Sequence, residues 1–304
     1  YQAAAYNMAA FIHVLPIRID HACVVTTFHD LLVPYLFPKA GPLRYQAVLT
    51  LARSSDGVIV TNRGDEERLA AEKSIASLRH IPIGSNIKPN IPPDYNRAVW
   101  RAALGFSEQD IVVGYFGFLN ASKGIDTLLQ AVRIARNNDL PVKLLMIGGR
   151  TGTSDPANII YAQEVDQMVV ELGLLDHIHW TGFVDSAAVS GHLMAADMIA
   201  LPYRDGASFR RGSLLAALAH GCTIITTYPE MDMPDLCGDE HARLIPPDSP
   251  TTLALAIEDL ADNPKLRQEM GANAFRLAQQ FTWDRIAQRS AAYFEELVAQ
   301  KQRE

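Results

Sequence analysis

The stretch Met198–Gly221, MIALPYRDGASFRRGSLLAALAHG, joins a short apolar run to an amphipathic segment through a loop of small residues and adjacent arginines. MIALPY is apolar throughout, the pattern of a strand covered on both faces. GSLLAALAHG has helical spacing and ends on Gly221, which suits the left-handed position after a last helical turn. Between them, the loop reads as an anion site. The first N–H groups of a helix have no partner within it, and the helix dipole favours negative charge there. Arg210 and Arg211 stand at the mouth of that loop, among Asp205, Gly206, Ser208, Phe209, Gly212 and Ser213. Two solvated arginines on a surface loop would look the same locally, so the rest of the chain decides.

Outward from this stretch, apolar runs alternate with helical patterns. Upstream lie ACVVTTF (22–28), GVIVTN (57–62) and LRHIPIG (78–84), with helical stretches near Leu43–Ala52 and Glu66–Ser77. Further on come IVVGYFG (111–117), VKLLMIGG (142–149), HIHWTG (177–182), TIITT (223–227) and RLIPP (243–247). Fully apolar strands separated by helices indicate parallel sheets covered on both sides, that is, a doubly wound α/β architecture. The Pro- and Asn-rich segment 83–110 is the expected domain junction, with the boundary near residue 105. This gives a first domain at 1–105, a second at 106–282 and a closing helix at 283–304. The apolar positions Trp283, Ile286, Ala287, Phe294, Leu297 and Val298 recur at helical spacing, so this last helix is expected to pack on something.

The chain has 304 residues, 48% of them hydrophobic and 20% charged, enough for two domains with their own cores. A net charge of −7 argues against nucleic acid as the main partner. Cys23, Cys222 and Cys237 show no pairing motif, and apolar surroundings suggest that the first two are buried, which fits a reducing cytoplasm. No apolar run reaches the ~18 residues of a membrane span. The residues 1–16, YQAAAYNMAAFIHVLP, read as a helix already under way, so the first domain is expected to lack an N-terminal portion of roughly 80 to 100 residues, two or three βα units.

Ligands of open α/β sheets bind at the carboxyl ends of the strands. The loop FLNASKG (118–124) after one strand delivers Lys123 to a helix start, the loop after LLMIGG delivers Arg150, and the loop after MIALPY delivers the arginine pair. Three cationic loops at one sheet edge favour a phosphate or diphosphate. In the first domain TTFHD (26–30) places His29 after a buried strand, either facing a ligand at the sheet edge or bridging backbone groups of its loop, with Asp30 either beside it or capping the helix LLVPYLF. His220, before Gly221, reads as a complement to its helix end. There is no Asp-x-Asp, HExxH or zinc-spaced cysteine pair, and no P-loop. The carboxylates of EMDMPD (230–235) read as a solvated turn or a ligand contact.

The order of these motifs resembles the GT-B glycosyltransferases, in particular their large retaining family four, over nearly the whole chain. GFLNASKGIDTLLQA (117–131) is similar to the first strand-loop-helix of that family's donor domain, LLMIGGR to its second strand and IHWTGFV to its nucleobase loop. LLAALAHGCTIITT is similar to the helix and strand after its diphosphate loop, and FTWDRIAQ to the start of a last helix that crosses back to the first domain. The resemblance implies two Rossmann-like domains facing a cleft, a nucleotide diphosphate sugar as donor and a carbohydrate, lipid-linked or small-molecule acceptor. It implies transfer with retention, no metal or other cofactor, and a cytoplasmic protein with peripheral contact at the inner face of a membrane as a further option. His29, Lys123 and Arg210 become the catalytic candidates. Asp30, Gly117, Arg150, Gly182, Phe183, Val184 and the loop residues 205–206 and 208–213 become the substrate-binding ones.

Two departures stand out. The family's arginine after its first-loop glycine is replaced by Phe118, and its two glutamates, eight positions apart, fall on Ser208 and Ala216. The second departure keeps two alternatives open, a sugar-nucleotide binding or regulatory protein without transferase activity and a sugar-nucleotide epimerase.

Overall fold

A computed structural model describes residues 22–29, 31, 41–151 and 156–303. Asp30 and the helices read at 1–16 and in LLVPYLF fall outside these residues. Two compact units emerge, one of residues 1–84 with 281–304 and one of residues 85–280. In the first, β1 (Val25–Phe28), α1 (Gly41–Arg53), β2 (Gly57–Val60), α2 (Arg63–Ala70) and β3 (Leu78–His80) follow one another, and the strands pair in parallel in the order β1-β2-β3. Every residue of β2 is buried, as the unbroken apolar run GVIV requires. Helix α2 starts earlier and stops earlier than its sequence pattern indicated. The Asn62 side chain accepts from the Asp65 amide at 2.8 Å and fixes the start. Past Ala71, short turn bonds such as Ile75 N–H to the Glu72 carbonyl replace the helical ladder.

The second unit begins with α3 (Arg97–Ala103) and continues through β4 (Ile111–Phe116), α4 (Ile125–Asn137), β5 (Val142–Ile147), α5 (Pro156–Glu171), β6 (Ile178–Trp180), α6 (Ser186–Ala195), β7 (Met198–Leu201), α7 (Gly212–Ala219), β8 (Ile224–Thr227), β9 (Arg243–Ile245), α8 (Pro250–Asp262) and α9 (Pro264–Ala278). Its six strands are all parallel, in the order β6-β5-β4-β7-β8-β9. The nine apolar runs of the sequence thus supply the nine strands among the described residues.

The junction lies at Gly84–Ser85 rather than near residue 105. Residues 85–105 are tied into the second unit. The Asn90 amide donates to Ser190 Oγ at 3.0 Å, Trp100 Nε1 donates to His192 Nδ1 at 3.0 Å, and Arg97 and Arg101 both reach Asp197. Polar spacing alone made this segment look like a linker, whereas Trp100 is seated so closely on α6 that a side chain at Gly191 would strike its ring.

His192 carries a consequence for stability. Burial pushes its imidazole down to about 4, with His179 adding a smaller repulsion, and the neutral ring accepts the Trp100 N–H. Because the folded pKa lies below the unfolded one, the unfolded chain takes up a proton here first as pH falls. The contribution is therefore full above about pH 6.5 and is lost toward pH 4, on the order of 3 kcal/mol at most. His192→Gln is expected to show a smaller change in urea midpoint between pH 7 and pH 4.5 than the unaltered chain. The same pH dependence in both proteins would contradict the assignment.

The chain re-enters the first unit at Phe281 and ends in α10 (Trp283–Lys301). The buried stripe of α10 is Ile286, Tyr293 and Leu297, which pack with Ile59 and Ile81. Trp283, Phe294 and Val298, expected on that stripe, are exposed. Tyr293 takes the buried position because its hydroxyl finds partners there, accepting from the Val58 amide at 3.2 Å and donating to Ser77 Oγ at 3.0 Å. Among the described residues no helix is long and apolar enough to cross a membrane.

Candidate functional site

Strand order in the second unit reverses between β4 and β7, which are hydrogen-bonded neighbours. In doubly wound sheets the carboxyl ends of the strands at such a reversal are where ligands bind. The loop after β4 contains Lys123 and the loop after β7 contains the arginine pair, so the topology itself brings these cations together.

After β4 the chain forms a short 3₁₀ turn over Ala121–Lys123, in which the Asn120 side chain accepts from the Ser122 amide. Gly124 then adopts φ +66° and opens α4. An added Cβ at Gly124 would overlap the Pro202 carbonyl oxygen, far inside van der Waals contact distance. The loop after β7 therefore rests directly on the loop after β4. Arg204 clasps the two: its amide donates to the Ser122 carbonyl at 2.9 Å, and its guanidinium reaches the Ala121 carbonyl at 3.1 Å, Asp126 at 2.5 Å and Asp248 at 2.7 Å.

Lys123 Nζ lies 3.4 Å from where a Cβ would stand on Gly117, at the end of β4. Burial pushes its amine below the ordinary lysine range, Arg211 pushes it further, and Asp205 partly opposes both. The Arg211 guanidinium stacks 4.8 Å over the ring of Tyr203 and pairs with Asp205. Tyr203 is fully buried, its hydroxyl 2.6 Å from Ser213 Oγ, and burial pushes that phenol up to about 12. The Arg210 amide donates to Ser208 Oγ at 3.3 Å and the Arg211 amide to the Ser208 carbonyl at 2.9 Å, folding residues 208–211 into a compact turn with Phe209 half-buried. The N-cap residue Arg211 makes no side-chain cap, and the first-turn amides of Gly212 and Ser213 have no partner within the helix. Gly206, at φ +76°, admits the next loop: a Cβ there would stand 2.6 Å from the Glu230 amide nitrogen. The loop EMDMPD thus begins against the arginine loop.

The neighbouring strand ends join the same edge. Gly117 N–H donates to the Ile147 carbonyl at 3.1 Å, Gly148 N–H to Thr181 Oγ1 at 3.0 Å, and Gly148 bridges Gly182 in antiparallel fashion. The loop from Gly182 through Phe183 and Val184 follows, with Phe183 85% exposed. Arg150 is placed differently from its expected phosphate role. Its guanidinium lies 4.5 Å over the Trp180 ring and pairs with Asp166 on α5, and only its carbonyl, accepting from Leu119 N–H, meets the loop after β4. His29 belongs to the first unit, where its carbonyl accepts from Thr61 Oγ1 at 2.8 Å. His220 is buried at the end of α7, with Nδ1 2.7 Å from the Ala216 carbonyl oxygen and Nε2 2.8 Å from Ser190 Oγ. Cys222 is buried and its thiol pushed up to about 12 by burial, whereas Cys23, expected to be buried as well, is half-buried.

Tyr203 and Arg204 escaped the sequence reading. Tyr203 passes for the last apolar residue of a strand, and Arg204 finds its carboxylates on residues 78 and 44 positions away. Only the folded sheet pairs them.

A six-stranded parallel sheet with cationic loops at its point of reversal defines a doubly wound nucleotide-binding class of domain, and the fold of the chain is GT-B. Sucrose-phosphate synthase of Thermosynechococcus elongatus is 24% identical with a TM-score of 0.71, over 90% of this chain and 68% of that one. HepE of Anabaena, solved in complex with UDP and glucose, is 22% identical with a TM-score of 0.73, over 89% of this chain and 71% of that one. The model of the glycosyl transferases group 1 family matches residues 110–263, half of the chain, and the chain belongs to that family. A D-inositol 3-phosphate glycosyltransferase of Jonesia denitrificans is 29% identical over 222 residues, 71% of this chain and 50% of that protein. The chain spans about half the length of the curated relatives it matches.

Proposed function

We propose that the chain is a glycosyltransferase that moves a sugar from a nucleotide diphosphate donor to an acceptor hydroxyl, with retention and without a metal ion. The observation that carries this reading is the meeting of Lys123, Arg211 and the uncapped start of α7 at the reversal of the sheet. In this reading the leaving diphosphate develops negative charge as the sugar–phosphate bond breaks. Lys123, Arg210, Arg211 and the amides of Gly212 and Ser213 stabilise that charge, as fixed cations and dipoles do most effectively in a partly desolvated site. Tyr203 holds Arg211 by its ring and Ser213 by its hydroxyl, so it acts through them as a positioning residue. Phe183 offers an exposed ring to the nucleobase, and Gly117, Gly182 and Val184 give the donor close backbone approach. His29 serves the sugar or the acceptor, which is a carbohydrate, a lipid-linked molecule or a small molecule.

A second reading, binding of a sugar nucleotide without transfer, draws on Ser208 and Ala216. Ala216 is fully buried and carries no carboxylate, so α7 offers none there. A thermal-shift screen tests what both readings share. UDP is the first ligand, because HepE was solved with it, followed by GDP, ADP and the corresponding sugar nucleotides. Nucleoside diphosphates are expected to raise the unfolding midpoint by mass action, and the matching nucleosides to do so much less. No shift with any diphosphate would sink both. Transfer to a sugar or inositol phosphate acceptor then separates the two.

A further inference from the structure

The loop between β8 and β9 runs into the sequence CGDEHAR (237–243), which the reading of donor chemistry did not use. The chain turns there so that the His241 amide donates to the Cys237 carbonyl at 3.0 Å, and the Cys237 amide donates to His241 Nδ1 at 3.1 Å. Spacings of three and four residues around one turn bring Cys237, Glu240 and His241 to the same side. One ligating atom from each lies within 4.8 Å of the others, and His241 Nε2 is 3.7 Å from Glu240 Oε1.

We infer that Cys237, Glu240 and His241 form a binding site for a divalent d-block cation, with zinc the best match. A thiolate, an imidazole and a carboxylate form a borderline-soft donor set that suits zinc and disfavours magnesium or calcium, which take oxygen ligands. Bond lengths of about 2.0 to 2.3 Å put donors on a tetrahedral ion roughly 3.3 to 3.6 Å apart. The separations present, none above 4.8 Å, exceed this by at most about 1.5 Å. The exposed side chains of Cys237 and Glu240 can close that gap by rotation, while His241 is the better-buried anchor. Water fills the fourth position. Binding forms a metal–sulfur bond and releases the thiol proton to solvent. It also breaks the hydrogen bond from the Cys237 amide to the His241 ring. Ligation at Nδ1 takes the lone pair that the amide now uses, and ligation at Nε2 moves the ring proton to Nδ1, where it faces the amide hydrogen. Nearby Asp239 is paired with Arg243 and stays outside the set.

Cobalt(II), added to the full chain after dialysis against EDTA, is the probe, since thiolate ligation gives a charge-transfer absorption that oxygen and nitrogen ligands lack. The expected result is a saturable band at one equivalent that zinc abolishes. The band is absent from Cys237→Ser and needs at least tenfold more cobalt in His241→Asn, while the thermal midpoints of the metal-free variants stay near that of the unaltered chain. No thiolate band, or one that persists in Cys237→Ser and so arises from Cys23 or Cys222, overturns the site. Since the metal-free arginine loop is a separate element, UDP-induced stabilisation in Cys237→Ser is expected to match that of the unaltered chain whichever way the cobalt result falls.

Discussion

Replacing Arg210 and Arg211 together by Ala is expected to weaken UDP binding by more than a hundredfold while leaving uridine binding nearly unchanged. A charge-assisted contact to phosphate contributes roughly 1.5 to 3 kcal/mol. Two of them would amount to about 3 to 6 kcal/mol, and the lower end applies because Arg211 already has a carboxylate partner in Asp205, which a diphosphate must displace. Every 1.4 kcal/mol is about tenfold, so about 3 kcal/mol exceeds a hundredfold. Isothermal titration of both ligands into both proteins measures the difference. Equal UDP affinity in the double variant would return these arginines to a solvated surface loop. The stack of Arg211 on the buried Tyr203 is the physical reason to expect otherwise, because a guanidinium already held over a ring loses little freedom on meeting a phosphate.

Gly124→Ala is expected to have the largest effect on stability. The residue stands at φ +66°, a left-handed conformation that costs an L-residue with a Cβ about 1 to 2 kcal/mol. The new methyl group would also overlap the Pro202 carbonyl, forcing the loops after β4 and β7 apart and loosening the Arg204 clasp between them. Together these changes are expected to lower stability by roughly 2 to 5 kcal/mol, a large part of the 5 to 15 kcal/mol typical of a domain. Urea unfolding followed by circular dichroism checks this, and a loss below about 0.5 kcal/mol would contradict the close approach of the two loops.

The inner strands were legible because runs such as GVIV and MIAL are apolar throughout, as a parallel strand covered on both faces requires, whereas the outer strands β3, β6 and β9 carry polar residues, are only partly buried and were read from the apolar residues around them. The loop after β7 was legible for a similar reason: strand, small residues, arginines and helix start are consecutive in the chain. What escaped depends on partners distant in sequence. The expected junction near residue 105 gave way because Trp100 and Arg101 are secured by His192 and Asp197, roughly ninety residues on. Arg150 follows its strand as Lys123 does, yet Trp180 and Asp166 draw its side chain elsewhere. On α10, Tyr293 and Phe294 are adjacent and both fit a helical stripe. The buried choice falls on the tyrosine because its own hydroxyl, once buried, finds the Val58 amide and the Ser77 hydroxyl as partners, and these are invisible from α10 alone. The turn that gathers Cys237, Glu240 and His241 was overlooked because its spacing matches no zinc motif built on cysteine pairs.

The account rests on a cationic, metal-free diphosphate site at the reversal of the β4–β7 sheet. Titration calorimetry of UDP into the unaltered chain, once in excess EDTA and once with magnesium, tests it most directly. The predicted result is saturable one-to-one binding with the same affinity in both buffers, because Lys123, Arg210, Arg211 and the α7 amides supply the positive charge themselves. Binding that appears only with magnesium, or no binding of UDP, GDP or ADP in either buffer, would contradict it.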